Sequence, residues 1–200
     1  MLEPDKSEPE MYLFFDTETT GIPRNYKAPA SDFKNWPRLV QIAWLVTDAQ
    51  GIAIASAEHI VKPNGYTIPP DAAKIHGITT DVALQKGLDI RTILDPLVQD
   101  ISKASALIAH NIQFDEKILG SELLRAGYEN YVEAKQRRCT MQSAKNYCRI
   151  PGPYGYKWPT LQELYMKLFN QDFVGAHRAL ADVRACAKCY FELKRLKVMT

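Results

Sequence analysis

The stretch "MYLFFDTETTG", Met11 to Gly21, constrains the fold more than any other part of the chain. An apolar run, Met11 to Phe15, leads straight into Asp16, and Glu18 follows two positions later. The run has the composition of a buried strand. Side chains at i and i+2 of a strand share one face, so Asp16 and Glu18 stand side by side at its carboxyl end. Two bare carboxylates there repel, and one takes up a proton unless a cation compensates them. A solvated edge strand with two charges facing water is the plain alternative. It suits Glu18 alone, but it sits poorly with the apolar strand leading in. Buried charges are paired or bound to metal, so a cation site is the reading to test against the rest of the chain.

The segment Ile22 to Pro37, with three prolines and no periodicity, reads as a long loop. "RLVQIAWLVTD" and "IAIASAEHIVKP" are β-rich runs joined at Ala49-Gln50-Gly51, a hairpin signal. "PDAAKIHGIT" reads as a short helix closed by Gly77, and "IRTILDPLVQDISKA" as a helix with Pro96 a weak point. "ALIAH" is a short buried strand, predicted to be parallel, and "FDEKILGSELLRAG" a helix ending at Gly127. A strand around Gln136 to Thr140 leads into "MQSAKNYC"; the Gly/Pro/Tyr-rich "RIPGPYGYKWP" is a loop, and "TLQELYMKLF" is a helix. The final helix is predicted from about Ala179 to Lys197. Strands first antiparallel, then alternating with helices, imply an α/β fold with a mixed sheet covered by helices on both faces.

Two hundred residues suit one sizeable domain, here residues 11–200, after a polar, Pro- and Glu-rich N-terminus (1–10) that is predicted to be flexible. The net charge of +2 says little about partners. Basic residues cluster at Lys135, Arg137 and Arg138 and at Lys188, Lys194, Arg195 and Lys197, which most simply are solvated helix faces. Cys139, Cys148, Cys186 and Cys189 show no framework spacing and no signal peptide precedes them, so free thiols in a reducing cytoplasm are expected. Cys186-Ala-Lys-Cys189 lies in a helical pattern with no second pair, which argues against zinc. No apolar run approaches a membrane span.

Two further acids join the first pair. Asp115, in "ALIAHNIQFDEKIL", falls in the first turn of a helix behind a buried strand, where an acid is favourable without any function. In "GAHRALADVRACAKCYF", His177 precedes Asp182 by five residues. That is roughly 140° on a helix, so His177 is placed on the loop and Asp182 a turn into the helix. Each alone is unremarkable. Together, all four acids lie where apolar elements meet loops, the place where open α/β sheets bind ligands. Four converging carboxylates cannot all be ionised without divalent ions, and oxygen-only donors favour Mg²⁺ or Mn²⁺. A histidine beside them supplies a base near neutrality.

Here the motifs carry a family resemblance. "FFDTETTG", "AHNIQFD" and "HRALAD" resemble, in order, the three motifs of the DEDDh 3′→5′ exonucleases, the DnaQ-like group, and "KIHGIT" is similar to the family's H-G-I element. The resemblance spans Tyr12 to Leu193. It implies a ribonuclease-H-like domain with a central five-stranded mixed sheet, and phosphodiester hydrolysis from 3′ ends. It implies two Mg²⁺, with Mn²⁺ as a substitute, held by Asp16, Glu18, Asp115 and Asp182, with His177 as the general base. Thr17, Thr20, Gly21, Asp71, His76 and Asn111 would contact substrate.

Single-stranded DNA is the expected partner. An RNA exonuclease of the oligoribonuclease or ribonuclease T kind is the first alternative, since nothing in these residues reads the 2′-OH. A non-catalytic nucleic-acid-binding module is the second, although none of its marks, a lost acid or base, is present. The Ile22–Pro37 loop is longer than expected for the polymerase proofreading subunit. No tethering tail follows the last motif helix, so a stand-alone exonuclease is expected. "RNYKAPASDFKNWPR" interleaves Arg24, Lys27, Lys34 and Arg38 with Tyr26, Phe33 and Trp36, a pattern suited to gripping a single strand. Tyr26 and Lys27 are the candidate contacts, while Trp36 is expected to pack onto the sheet.

Overall fold

The computed structural model describes residues 10–175 and 178–199. Five strands form one sheet: β1 (Met11–Thr19), β2 (Leu39–Asp48), β3 (Ala53–Ile60), β4 (Ala106–Ala109) and β5 (Gln136–Cys139), in the order β3-β2-β1-β4-β5. β1 runs antiparallel to β2, and β2 to β3, whereas β1, β4 and β5 are parallel. This is the mixed sheet expected from sequence. The carboxyl ends of the three parallel strands share one edge of the molecule, where ligands of α/β sheets bind.

Helices cover both faces. They are α1 (Pro70–His76), α2 (Thr80–Lys86), α3 (Ile90–Lys103), α4 (Ile112–Arg125), α5 (Thr140–Cys148), α6 (Leu161–Phe169) and α7 (Ala179–Arg195). α3 continues through Pro96 without a break. α2 falls in a stretch to which the sequence reading gives no element, and a two-stranded hairpin, β6 (Pro151–Gly152) with β7 (Gly155–Tyr156), stands where it has a loop. α2 buries Ala83 alone, so it shows no apolar period; Thr79 nucleates it by accepting the Val82 amide at 3.2 Å.

The period-2 alternation of β1 decides what each side chain meets. Leu13 and Phe15 pack with α3 and α4 residues such as Leu97 and Leu119. Tyr12 and Phe14 pack with Val183, Cys186 and Tyr190 of α7. Continuing the pattern sends Asp16 and Glu18 toward the α7 face and Thr17 toward the α4 face.

The loop before β2 has no regular element, but it is firmly held. Glu122 of α4, 1 % exposed, accepts from Arg38 Nε at 2.7 Å, Arg125 Nη1 at 2.8 Å and the Leu39 amide at 3.2 Å. Arg125 Nη2 in turn reaches the Phe33 and Trp36 carbonyls, both at 2.8 Å. Arg38 is therefore a structural cation, which corrects its inclusion among strand-gripping residues. Trp36 is buried as expected, donating Nε1–H to the Pro29 carbonyl at 3.0 Å.

The basic clusters are also largely engaged. Lys135 donates to the Ser102 and Ala104 carbonyls, Arg137 pairs with Glu116, Arg138 donates to the Tyr190 hydroxyl, and Arg195 pairs with Glu192. All four cysteines are free and buried, and burial raises the thiol pKa of Cys148, Cys186 and Cys189, the last to about 12. Among the described residues, no helix is long and apolar enough to cross a membrane.

Candidate active site

Asp16 and Glu18 lie on β1 at the sheet's carboxyl edge, and Asp182 lies in the first turn of α7. One carboxylate oxygen from each falls within 4.8 Å of the others. The register of β1 on β2 slips between Glu18 and Thr19, an irregularity of the kind that re-aims side chains beside sites. α7 has no side-chain cap of its own; Glu58 of β3 accepts the Leu180 amide at 3.1 Å and anchors that first turn. Asp115 approaches from the opposite face. It is 3 % exposed, and its Oδ1 accepts from the Thr17 hydroxyl at 2.7 Å and the Thr17 amide at 3.0 Å.

The electrostatics match a site short of positive charge. Burial raises the Asp16 carboxyl well above its ordinary range, and Asp115, Asp182 and Glu18 push it further. Burial, then Asp182 and Asp115, lift Glu18 to about 7. Asp115 reaches about 7 through burial, against the opposing Thr17 hydrogen bonds. Among the described residues, the ion pairs all lie elsewhere than on Asp16, Glu18 and Asp115. An oxygen-only set that repels itself fits Mg²⁺ or Mn²⁺ better than the softer metals, which prefer nitrogen and sulfur.

The other sequence candidates divide between two cavities. Thr17, Thr20, Gly21, Asp71 and His76 line one of about 320 Å³ beside Glu18. Thr20 is fixed there by exchanging hydrogen bonds with the Arg38 backbone. His76 Nδ1 accepts the Ile78 amide at 3.1 Å, and burial lowers its pKa, so the ring is neutral near pH 7. Asp71 sits at the rim, its side chain 95 % exposed and paired with Lys74 at 3.0 Å. Asn111, Tyr26 and Lys27 line the second cavity. His177 lies outside the described residues.

Sequence reasoning missed His110 and Phe114. His110 bridges Thr140 Oγ1 and the Pro159 carbonyl, each at 3.0 Å, and burial lowers its pKa to about 4. Phe114 forms part of the first cavity and meets the Tyr26 ring at 6.5 Å. Both stand inside the "AHNIQFD" motif, so a signal was present, but their partners are remote in sequence.

An exonuclease family model, of the RNase T kind, matches residues 13–190. The chain belongs to this exonuclease family. It is a DnaQ-like, DEDD-type member with the ribonuclease-H-like fold and a nuclease of 3′→5′ class. The exonuclease is 30 % identical over 179 residues to DNA polymerase III subunit epsilon of Treponema pallidum, covering 90 % of this chain and 74 % of that one. It is 28 % identical to the uncharacterized exonuclease CP81 of Escherichia phage 186, covering 86 % and 82 %. Its fold matches E. coli exonuclease I bound to a dA16 oligonucleotide, with a TM-score of 0.74 at 23 % identity. That match covers 94 % of this chain but 42 % of exonuclease I, so the exonuclease spans less than half of that protein.

Proposed function

We propose that this exonuclease removes nucleotides from the 3′ end of single-stranded DNA, using a pair of divalent ions and a histidine base. The convergence of Asp16, Glu18 and Asp182, with Asp115 raised to a pKa of about 7 beside them, carries the reading. The kinship with polymerase III epsilon subunits and the DNA-bound exonuclease I structure favour DNA as substrate.

Asp16, Glu18 and Asp182 would hold one ion, and Asp16 with Asp115 the other. Bound there, Mg²⁺ or Mn²⁺ supplies the positive charge that activates the attacking water and stabilises the leaving 3′ oxygen. Thr17 fixes the Asp115 carboxylate, so its orientation does not depend on the ligand. His177 takes the proton of the attacking water. The cavity walled by Thr20, Gly21 and His76 receives the terminal nucleoside, with Asp71 at its rim. Gly21 leaves open space where a Cβ would stand, which lets the chain approach the nucleotide closely. Asn111, Tyr26 and Lys27 contact the strand further in. Hydrolysis at this position releases a nucleoside 5′-monophosphate and leaves a new 3′-hydroxyl.

The test is a ladder assay on 5′-labelled single-stranded DNA and matched RNA, with Mg²⁺ and with EDTA. Stepwise shortening from the 3′ end, faster on DNA and absent in EDTA, is expected. Internal cuts, activity in EDTA or a preference for RNA would overturn the corresponding part of the reading.

A further inference from the structure

The second cavity, about 640 Å³, brings together residues from four separate segments. Tyr26 and Lys27 come from the long loop, Asn111 and Lys117 from the start of α4, Met141 from α5, and Trp158 from the segment after the hairpin. Two of these are large aromatics left half in water: Tyr26 is 54 % and Trp158 55 % exposed, whereas Trp36 and Trp44 are 3 % and 2 % exposed.

The backbone beside Trp158 is nevertheless tied down. The next residue, Pro159, accepts from His110, whose neutral ring can donate only one N–H. A carbonyl only accepts, so Nε2 carries that proton, and Nδ1 accepts from the Thr140 hydroxyl. Tyr26 is held by its contact with Phe114, which also lines the terminal cavity. The Tyr26–Phe114 contact therefore joins a wall residue of the second cavity to a wall residue of the first. The charge on this wall is suited to phosphate: Glu116 is engaged by Arg137 at 3.2 Å, Lys117 meets Glu133 only at 3.8 Å, and Lys27 has no ion pair among the described residues.

We infer that this cavity is a second nucleotide subsite, in which Trp158 and Tyr26 stack on bases of the strand upstream of the terminal nucleotide while Lys27 neutralises a phosphate. The inference rests on the exonuclease reading above and adds a binding role for Trp158. Stacking on an aromatic side chain tolerates any base and needs a single strand, because a base inside a duplex has no free face.

The test uses Trp158→Ala, Trp158→Phe and Tyr26→Ala with two substrates, the p-nitrophenyl ester of thymidine 5′-monophosphate, which has no upstream base, and a thymidine octanucleotide. The ratio of the octanucleotide KM to the ester KM is expected to rise about 5- to 150-fold in Trp158→Ala, the worth of one stacked base. Trp158→Phe should restore most of it, and Tyr26→Ala should raise it independently. A second readout needs no turnover: with EDTA or Ca²⁺, the octanucleotide should quench the exposed tryptophan emission of the wild type and not that of Trp158→Phe. An unchanged KM ratio in both alanine variants, or equal quenching in wild type and Trp158→Phe, would overturn the subsite. Wild-type protein that binds and quenches but hydrolyses neither substrate would instead overturn the exonuclease reading and leave the subsite standing.

Discussion

Thr17 stands between Asp16 and Glu18 and points the other way, so its hydroxyl and amide both go to Asp115. Thr17→Val keeps the β-branched shape and removes only that hydroxyl. We expect activity to fall about 10- to 100-fold, as for the loss of an outer partner of a metal-binding group, with a higher Mg²⁺ requirement and little change in melting temperature. Steady-state rates across a Mg²⁺ titration check this. His177→Ala is expected to lower the rate about 10²–10⁴-fold while leaving strand binding in Ca²⁺ intact. The wild-type rate should rise with pH through roughly 6 to 8 as the imidazole loses its proton, and the variant should lose that dependence. At this scale the sequence was unevenly legible. Asp16 and Glu18 could be placed on one face because the period of a strand is local and fixed. The Thr17–Asp115 contact could not, because it joins positions 98 residues apart across a sheet order that no local pattern states.

Among the elements, the loop from Ile22 to Pro37 depends on α4 through one buried carboxylate. Removing Glu122 leaves Arg38 and Arg125 beside each other without their counter-charge, at side-chain exposures of 29 % and 13 %. Glu122→Ala is therefore expected to destabilise the protein by roughly 3 kcal/mol, the low end of the range for broken buried pairs because Arg38 keeps some water. Urea unfolding measures it, and a loss under 1 kcal/mol would show that water replaces the carboxylate. The strands and long helices were readable from apolar periodicity. α2 and the β6–β7 hairpin were not: the first buries one side chain, and the second is only two residues deep on each side. Glu122 reads as an ordinary acid on a helix, and only the fold shows it as the post that holds the loop and the entry to β2.

For the whole molecule, the sheet order puts three parallel strand ends at one edge and lets helices on opposite faces each deliver an acid to it. The cost of that convergence has a defined sign. Carboxyls raised in the folded state bind more protons than in the unfolded chain, so they stabilise at low pH and lose that contribution as pH rises through about 7. His110 and His76, both lowered by burial, act oppositely, an effect that fades over about one unit above the ordinary histidine value near 6.5. Between pH 6.5 and 8 the raised carboxyls outweigh that opposition. Glu18 and Asp115 together would cost about 1–2 kcal/mol there, or roughly 2–6 °C in melting temperature. Asp16→Ala relieves the repulsion, so its metal-free form should melt no lower than wild type, while hydrolysis is nearly abolished. The most direct measurement is thermal unfolding from pH 6.5 to 8, without divalent ions and with Mg²⁺ or Mn²⁺ at saturation, for wild type and Asp16→Ala. The metal-free wild type should fall across that window, and the ions should raise it, by about 2.7 kcal/mol at a hundredfold excess over Kd, with little effect on the variant. A melting temperature that rises with pH without ions, or an ion effect equal in both proteins, would contradict a carboxylate site built around divalent cations.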